Sequence, residues 1–526
     1  MLASVLLTSL SLLLAAFAWW QRRRAAQSLL ARAGFPGPPC PSLIAGHFAA
    51  LRSDPKRCPV HVMAAWERRH GPVYGLSFGP TPVVVVGDAR DVQRVVARSA
   101  KVFPDRPPLA IPVKPVTESL VGLRGGDWKR VRRVLASMLS PVNCRKVLSP
   151  VIHQKLDACM ESLMTVSEQE DPVTIDLVTV SERLCFDVVG MAVLGIDPDE
   201  ELFDAVRAFL GQRLDGAIKA AIYCPALVGG HHLGGGDKQG NLVTRAISSL
   251  AQTFGFHPKA SKLLYAKVKA QVEARKSGLR KDDILQMMVD EMLSEDSRIS
   301  EEEVIANAWV FLLGGFDTVA QALAFTLFLL AANPECQDKV HQEILSDIQD
   351  PSKPDFETVL KLPYLDKVLK ESLRLYPPVN LNVSRRCEKN FQLRNGAHIP
   401  AGATVHLPLF QLHRNEEYWR EPEKFLPERF KPEEEKARTK MCYIPFGAGP
   451  RYCIGKDFAI FETKMALVRI LHSFRFETME QGQELDLTLP LVTLKAKNGI
   501  PVKMYRREGF SKTVSSMDKR DKVSFA

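Results

Sequence analysis

At 526 residues with 46% hydrophobic content, the chain can bury a large core, and length alone allows roughly two to four domains. Its net charge of +10 is not gathered into a stripe interleaved with aromatics, which argues against a nucleic-acid surface. Ten cysteines without a C-x-x-C pair argue against a zinc site or a disulfide framework, and no internal repeat, P-loop or dinucleotide glycine fingerprint is present.

Residues 1–21 carry no charge, are rich in Leu and Ala, and are long enough to cross a bilayer. Trp19 and Trp20 fall where an interfacial aromatic belt belongs, and Arg22, Arg23 and Arg24 follow at once. A cleaved signal peptide is the rival, because Ala16-Phe17-Ala18 looks like a cleavage site. The charged leading region is missing, however, and the arginines lie on the wrong side for translocation. The expectation is a signal-anchor over 1–21, then a basic stop-transfer and proline-rich hinge over 22–41, with the body on the cytosolic side. That topology leaves the sequon Asn382-Val383-Ser384 unused. Strand-like segments follow at Val73–Phe78 and Val83–Val86, separated by Gly-Pro turns. Helical patterns dominate from about Asp88 to Tyr376, and on one of them Trp128 and Arg132 stand four apart. The glycine-rich stretch 229–240 reads as a loop; His231-His232 within it is better explained as a solvated tip than as a metal site, since no acid or thiol stands at ligand spacing.

Ser300-Glu301-Glu302-Glu303 is a capping box. It opens a run to about Ala332, stopped by Pro334, of about 32 residues or roughly 48 Å. The run is apolar on nearly every face, but Asn307, Asp317, Thr318 and Gln321 argue for a buried core helix rather than a membrane span. At its middle, Gly314-Gly315 permits a local distortion, and Asp317-Thr318 sets an acid beside a hydroxyl, a pair able to relay protons. On a further helix, Tyr364–Tyr376, Glu371 and Arg374 share one face. Pro427-Glu428-Arg429-Phe430 comes next. The segments His406–Phe410 and Leu487–Val502 read as extended, so small β-sheets accompany a mainly α body (α+β).

The most informative run is Pro445-Phe446-Gly447-Ala448-Gly449-Pro450-Arg451-Tyr452-Cys453-Ile454-Gly455. Its glycines permit a tight backbone that can approach a flat macrocycle closely. A helix-like run, Lys456–Ser473, starts just after the cysteine, so its N-terminal dipole would help to hold the sulfur as thiolate. A thiolate is the ligand that pushes electron density through haem iron strongly enough to favour O–O cleavage. The spacing F-G-x-G-x-R-x-C-x-G resembles the haem signature of the cytochrome P450 family. The W-x-x-x-R, A/G-G-x-D/E-T, E-x-x-R and P-E-R-F elements stand upstream in the family's order, with Gly at 314 where Ala is commoner.

That resemblance implies the cytochrome P450 fold, with haem b between the long central helix and the helix after the cysteine, in a catalytic domain over 42–505 followed by a polar tail over 506–526. Cys453 would be the axial ligand, with Phe446 beside it. Trp128, Arg132, Arg385 and Arg451 would hold the propionates, Arg386 being the neighbour that competes with Arg385 for its assignment. Gly314 and Gly315 would open a groove for O2, Asp317 and Thr318 would carry protons to it, and Glu371, Arg374 and Arg429 would form a buried network. The implied activity is insertion of one oxygen atom into a lipophilic small molecule in the endoplasmic reticulum membrane. Electrons would come from NADPH through NADPH-cytochrome P450 reductase, with cytochrome b5 as a further donor. If Trp128 and Arg132 face haem, then Lys129, Arg130 and Arg133 project outward, either as a docking face for an acidic electron-transfer partner or simply as a solvated helix face. The pocket would be walled by 108–116, 310–318, 379–383 and 491–494. Two other readings stand beside this one: a haem-thiolate isomerase or dehydratase acting on lipid peroxides, like thromboxane synthase, and a non-enzymatic haem-binding sensor or carrier.

Overall fold

The computed structural model describes residues 28–42, 45–51, 58–79, 81–107, 115–211, 258–380, 383–490 and 492–507, with positions 17, 20, 21, 24 and 25 before them. Most of the expected anchor, the 229–240 loop, the stretch 108–114 and the tail beyond Arg507 lie outside these residues.

The helices that build the body are α1 (Pro59–His70), α2 (Gly125–Met138), α3 (Ser149–Ser167), α4 (Leu177–Val189), α5 (Glu200–Gly211), α6 (Pro258–Lys276), α7 (Glu301–Ala331), α8 (Pro334–Asp347), α9 (Pro363–Leu375) and α10 (Lys456–Ser473). The central one, α7, starts as the sequence predicts: the Ser300 hydroxyl accepts from Glu303 N–H while the Glu303 carboxylate accepts from Ser300 N–H. By length and apolar content α7 could cross a membrane, but 67% of its most apolar window is buried inside the protein. It is the axis of the largest core cluster, packed by α4 and α10 through residues such as Leu312, Phe316, Leu323, Val189 and Phe461. The helix α7 runs continuously through Gly314 and Gly315. The two glycines do different work. A Cβ on Gly315 would meet Val189 at 3.1 Å, so its absence lets α4 pack close, whereas a Cβ on Gly314 would meet nothing within 4 Å.

Apart from a small hairpin that pairs Phe391–Gln392 with His398–Ile399, the strands among the described residues are β1 (Val73–Phe78), β2 (Thr81–Val86), β3 (Val173–Asp176), β4 (Ser384–Arg386), β5 (Thr404–His406), β6 (Phe474–Thr478), β7 (Leu487–Thr488), β8 (Lys495–Ala496) and β9 (Pro501–Arg506). One sheet has the order β1-β2-β5-β4, antiparallel except for the parallel pair that sets Val84 against Val405. A second has the order β3-β9-β6, and β7 pairs with β8. Two expected extended segments change shape. Leu409–Leu412 is a helical turn after Pro408, and the stretch 487–502 is divided among β7, β8 and the start of β9. β9 runs on through Arg506, into the expected tail.

The proline-rich hinge does not stand free. Gly75 N–H donates to the Pro36 carbonyl at 2.8 Å, His47 bonds the Pro38 carbonyl at 2.8 Å, and a Cβ on Gly37 would lie 2.3 Å from the Gly75 oxygen. The hinge is therefore docked along β1.

Candidate haem site

The cysteine loop is built by its own backbone. Cys453 N–H donates to the Phe446 carbonyl at 2.9 Å and Gly447 N–H to the Ile444 carbonyl at 2.8 Å. Gly447 and Gly449 adopt left-handed φ values of 68° and 71°, conformations that only glycine takes without strain. At Gly449 a side chain is also excluded by contact, because its Cβ would lie 1.8 Å from the Val96 oxygen. Behind the loop, Phe446 packs with Ala322, Leu369, Leu373 and Ile460. On α7, Gly314 is exposed and Phe311 and Thr318 are half-buried, and the three fall three to four residues apart. Ala322 continues that stripe and meets Phe446, so the open face of α7 is the face turned to the cysteine loop.

Cys453 and Cys40 are the only exposed cysteines among the described residues. Yet burial by surrounding protein is the largest influence on the Cys453 thiol and raises its pKa. The Gly455 backbone, Arg106 and Arg132 oppose the rise, and Asp457 adds to it.

Around the sulfur gathers an excess of positive charge. Arg385 is 3% exposed, and burial, then Arg106 and Arg451, pull its pKa down to about 9. Burial also brings Arg451 down to about 10 against the opposing pull of Asp105. Burial lowers Arg106 as well, and its Nε has no hydrogen-bond partner. Arg132 lies over the Tyr452 ring at 4.6 Å and the Trp128 ring at 5.7 Å, and Arg451 covers Trp128 at 4.2 Å. Four buried or half-buried guanidiniums thus converge with one acid, Asp105, paired to Arg451. So much desolvated positive charge calls for an anionic partner. The two carboxylates on one edge of haem match it, and with the thiol beyond the glycine loop the residues fit that cofactor.

The sequence-derived residues are placed unevenly. Trp128, Arg132, Arg385 and Arg451 all reach this cluster, but Arg451 is largely engaged already, donating to the Pro104 carbonyl at 2.9 Å, the Leu123 carbonyl at 3.1 Å and Asp105. Strand alternation separates Arg385 from Arg386, which turns to Glu388 at 3.5 Å. Arg106 escaped the sequence reading: it sits alone before prolines, with no periodic pattern. Arg130 was expected on the outer face but instead holds Glu303 at 2.6 Å and the Arg298 carbonyl, tying α2 to the start of α7. Lys129 and Arg133 remain exposed.

Thr318 Oγ donates to the Gly314 carbonyl at 2.7 Å, one turn back, which leaves its oxygen free to accept on the open face. Asp317 points elsewhere: it is 2% exposed and lies 2.6 Å from Lys495 Nζ. The Glu371 network has the expected members. Arg374 reaches Glu371 through two bonds of 2.7 and 2.9 Å, and Arg429 reaches the same carboxylate at 3.2 Å. Two of the expected pocket walls adjoin, since Leu494 N–H donates to the Pro378 carbonyl at 2.8 Å and Val379 bridges Thr493.

Comparison with known proteins agrees with this geometry. A family model described as Cytochrome P450 matches residues 36–503. Cytochrome P450 3A7 of Homo sapiens is 30% identical over 430 residues, covering 79% of this chain and 81% of that protein. Cytochrome P450 3A41 of Mus musculus is 29% identical over 469 residues, covering 86% and 88%. Cytochrome P450 3A5 of Homo sapiens is 28% identical over 499 residues, covering 91% and 93%. With a cysteine loop, a buried cationic cluster beside it and a family match over most of its length, this chain belongs to the cytochrome P450 family of haem-thiolate monooxygenases.

Proposed function

We propose that this protein is anchored in the endoplasmic reticulum membrane by residues 1–21, with its catalytic body on the cytosolic face. There it inserts one oxygen atom from O2 into a lipophilic small molecule, using NADPH electrons delivered by a reductase. The observation that carries the oxygenase reading is the Thr318 hydroxyl on the open face of the central helix, with the buried Asp317 carboxylate adjoining it in the chain from the other side. Haem bound there supplies iron that takes the Cys453 sulfur as thiolate and the electron-rich centre at which O2 is reduced and cleaved. Arg106, Arg132 and Arg385 would hold its carboxylates, Trp128 packing among them, while Arg451 secures the loop against Asp105. Gly314 keeps the helix surface clear for a small ligand, Thr318 holds a proton at its Oγ, and Asp317 feeds that position from the buried side. The walls around Phe311, Val379 and Val492 are apolar, which suits a lipophilic substrate. Lys129 and Arg133 suit docking of an acidic electron donor.

The test is to measure product, hydrogen peroxide and NADPH together. Thr318→Ala folds and binds haem, but product formed per NADPH falls about tenfold or more as the missing electrons appear in peroxide. Stray water keeps this below the roughly 10²–10⁴-fold of a general acid. Asp317→Asn slows oxygen reduction itself. An isomerase would instead turn over peroxide substrate without NADPH, nearly unchanged in both variants. Unchanged coupling in Thr318→Ala removes the oxygenase reading.

Topology has its own test. A tag fused after Ala526 is cut by protease in intact microsomes, Asn382 carries no glycan, and residues 1–21 remain on the mature chain. A mature N-terminus at Trp19 would place the protein in the secretory lumen instead.

A further inference from the structure

Behind the central helix, away from the cysteine loop, four charged side chains from four elements meet. Lys495 of β8 lies 2.6 Å from Asp317 of α7 and 3.0 Å from Glu182 of α4. The second Glu182 oxygen pairs with Arg207 of α5 at 2.9 Å. Asp317 and Glu182 are each 3% exposed at the side chain and Lys495 11%, while Arg207 at 46% reaches solvent. Gln321, one turn after Asp317, donates to Glu182 at 3.3 Å, and its own carbonyl oxygen has no partner. The set balances two cations against two carboxylates, and Arg207 serves Glu182 alone. One ammonium is therefore shared between two acids, one of which stands next to Thr318. Burial pulls the Lys495 pKa down, but Asp317 and Glu182 more than offset it, so the group stays charged.

We propose that Lys495 is the positioning residue of the proton relay, holding the Asp317 carboxylate in an ion pair, with Glu182 as the second carboxylate that receives Lys495 when Asp317 takes up a proton. This rests on the reading of Asp317 and Thr318 as the relay. The reason is electrostatic. When Asp317 takes a proton from water to hand on to Thr318, its pairing with Lys495 is lost, and a buried ammonium without a partner is costly. Glu182, already at 3.0 Å, keeps Lys495 paired throughout. The other titratable groups near this set lie beyond Glu182: the Cys185 thiol, whose pKa burial and Glu462 of α10 push well up, and the Glu462 carboxyl, which burial also raises.

Two measurements on the purified holoenzyme test this. The first is infrared difference spectroscopy of the carboxyl groups in H2O and D2O at neutral pH, which does not depend on turnover. The second is the pH dependence of product formed per NADPH. In Lys495→Met a protonated-carboxyl band absent from wild type appears, and it is missing in the double variant with Asp317→Asn. The inflection of the coupling profile moves up by about one pH unit or more, as loss of a close cation demands. Lys495→Arg keeps the wild-type spectrum and profile. Glu182→Gln leaves Lys495 to Asp317 alone, so the inflection moves down. A merely structural role for Lys495 moves neither the band nor the inflection. Lys495→Met with a wild-type spectrum and profile overturns the proposal. Should that variant not fold, an unmoved inflection in Glu182→Gln overturns it alone. Failure of the relay reading looks different: Asp317→Asn by itself then leaves the rate of oxygen reduction unchanged.

Discussion

Replacing Cys453 with serine abolishes both the strongly red-shifted Soret band of the reduced, CO-bound protein and all oxygenase activity. A neutral hydroxyl cannot replace the electron-rich thiolate that defines the chemistry. The loop is expected to survive the change, because its shape comes from backbone bonds and glycines: Cys453 N–H still reaches the Phe446 carbonyl at 2.9 Å, and Gly449 still passes Val96. The cationic cluster also survives, so the variant retains some haem, but with the spectrum of a site lacking sulfur. Cys442 is the internal control. It is 1% exposed in a different core cluster, and burial pushes its thiol up to about 11, so Cys442→Ser leaves the band in place. A thiolate spectrum that survives in Cys453→Ser and vanishes in Cys442→Ser overturns the ligand assignment.

What could be read from the sequence was what is local. The capping box at Ser300, the glycine spacing before Cys453 and the helix Lys456–Ser473 each rest on contacts within a few residues, and each appears where expected. The Glu371–Arg374 pair was legible for the same reason, being three apart on one helix. Where a side chain finds a distant partner, local pattern gives no warning. Lys495 meets Glu182 across 313 residues, and nothing in a two-residue strand announces a buried ammonium. Arg130 belongs by periodicity to an outer face, but a long side chain could reach Glu303, and the charge pair decided its direction. The glycines of α7 mislead in another way. Paired glycines permit a distortion without requiring one, and what Gly315 provides here is room for Val189, which a Cβ would meet at 3.1 Å. Arg106 shows the limit most clearly, since only the convergence of other arginines gives it meaning.

Arg374→Ala is expected to yield largely haem-free or aggregated protein. Arg374 places every donor of its guanidinium: Nε and Nη2 on Glu371, Nη1 on the carbonyls of His413 at 2.9 Å and Pro422 at 2.7 Å, and Nη2 also on that of Lys424 at 3.1 Å. One side chain thus fastens α9 to the segment after His413. Glu371 in turn accepts from Leu426 N–H at 2.9 Å and from Arg429, which also donates to the Glu421 carbonyl at 2.6 Å. Glu371 and Arg374 are both fully buried. Truncating Arg374 leaves a carboxylate without its main cation and three carbonyls without their donor, which costs about 3–5 kcal/mol, a large share of a domain's stability. The damage reaches the haem site because α9 also carries Leu369 and Leu373, which pack against Phe446 of the cysteine loop. Arg374→Lys is the sharper version. It keeps the charge but not the planar fork that serves Glu371 and the carbonyls together, so it should recover only part of the haem content. The check is haem per protein after purification, with thermal unfolding of whatever soluble fraction remains. Normal haem content in Arg374→Ala would mean that the pair is dispensable and that packing alone holds the loop.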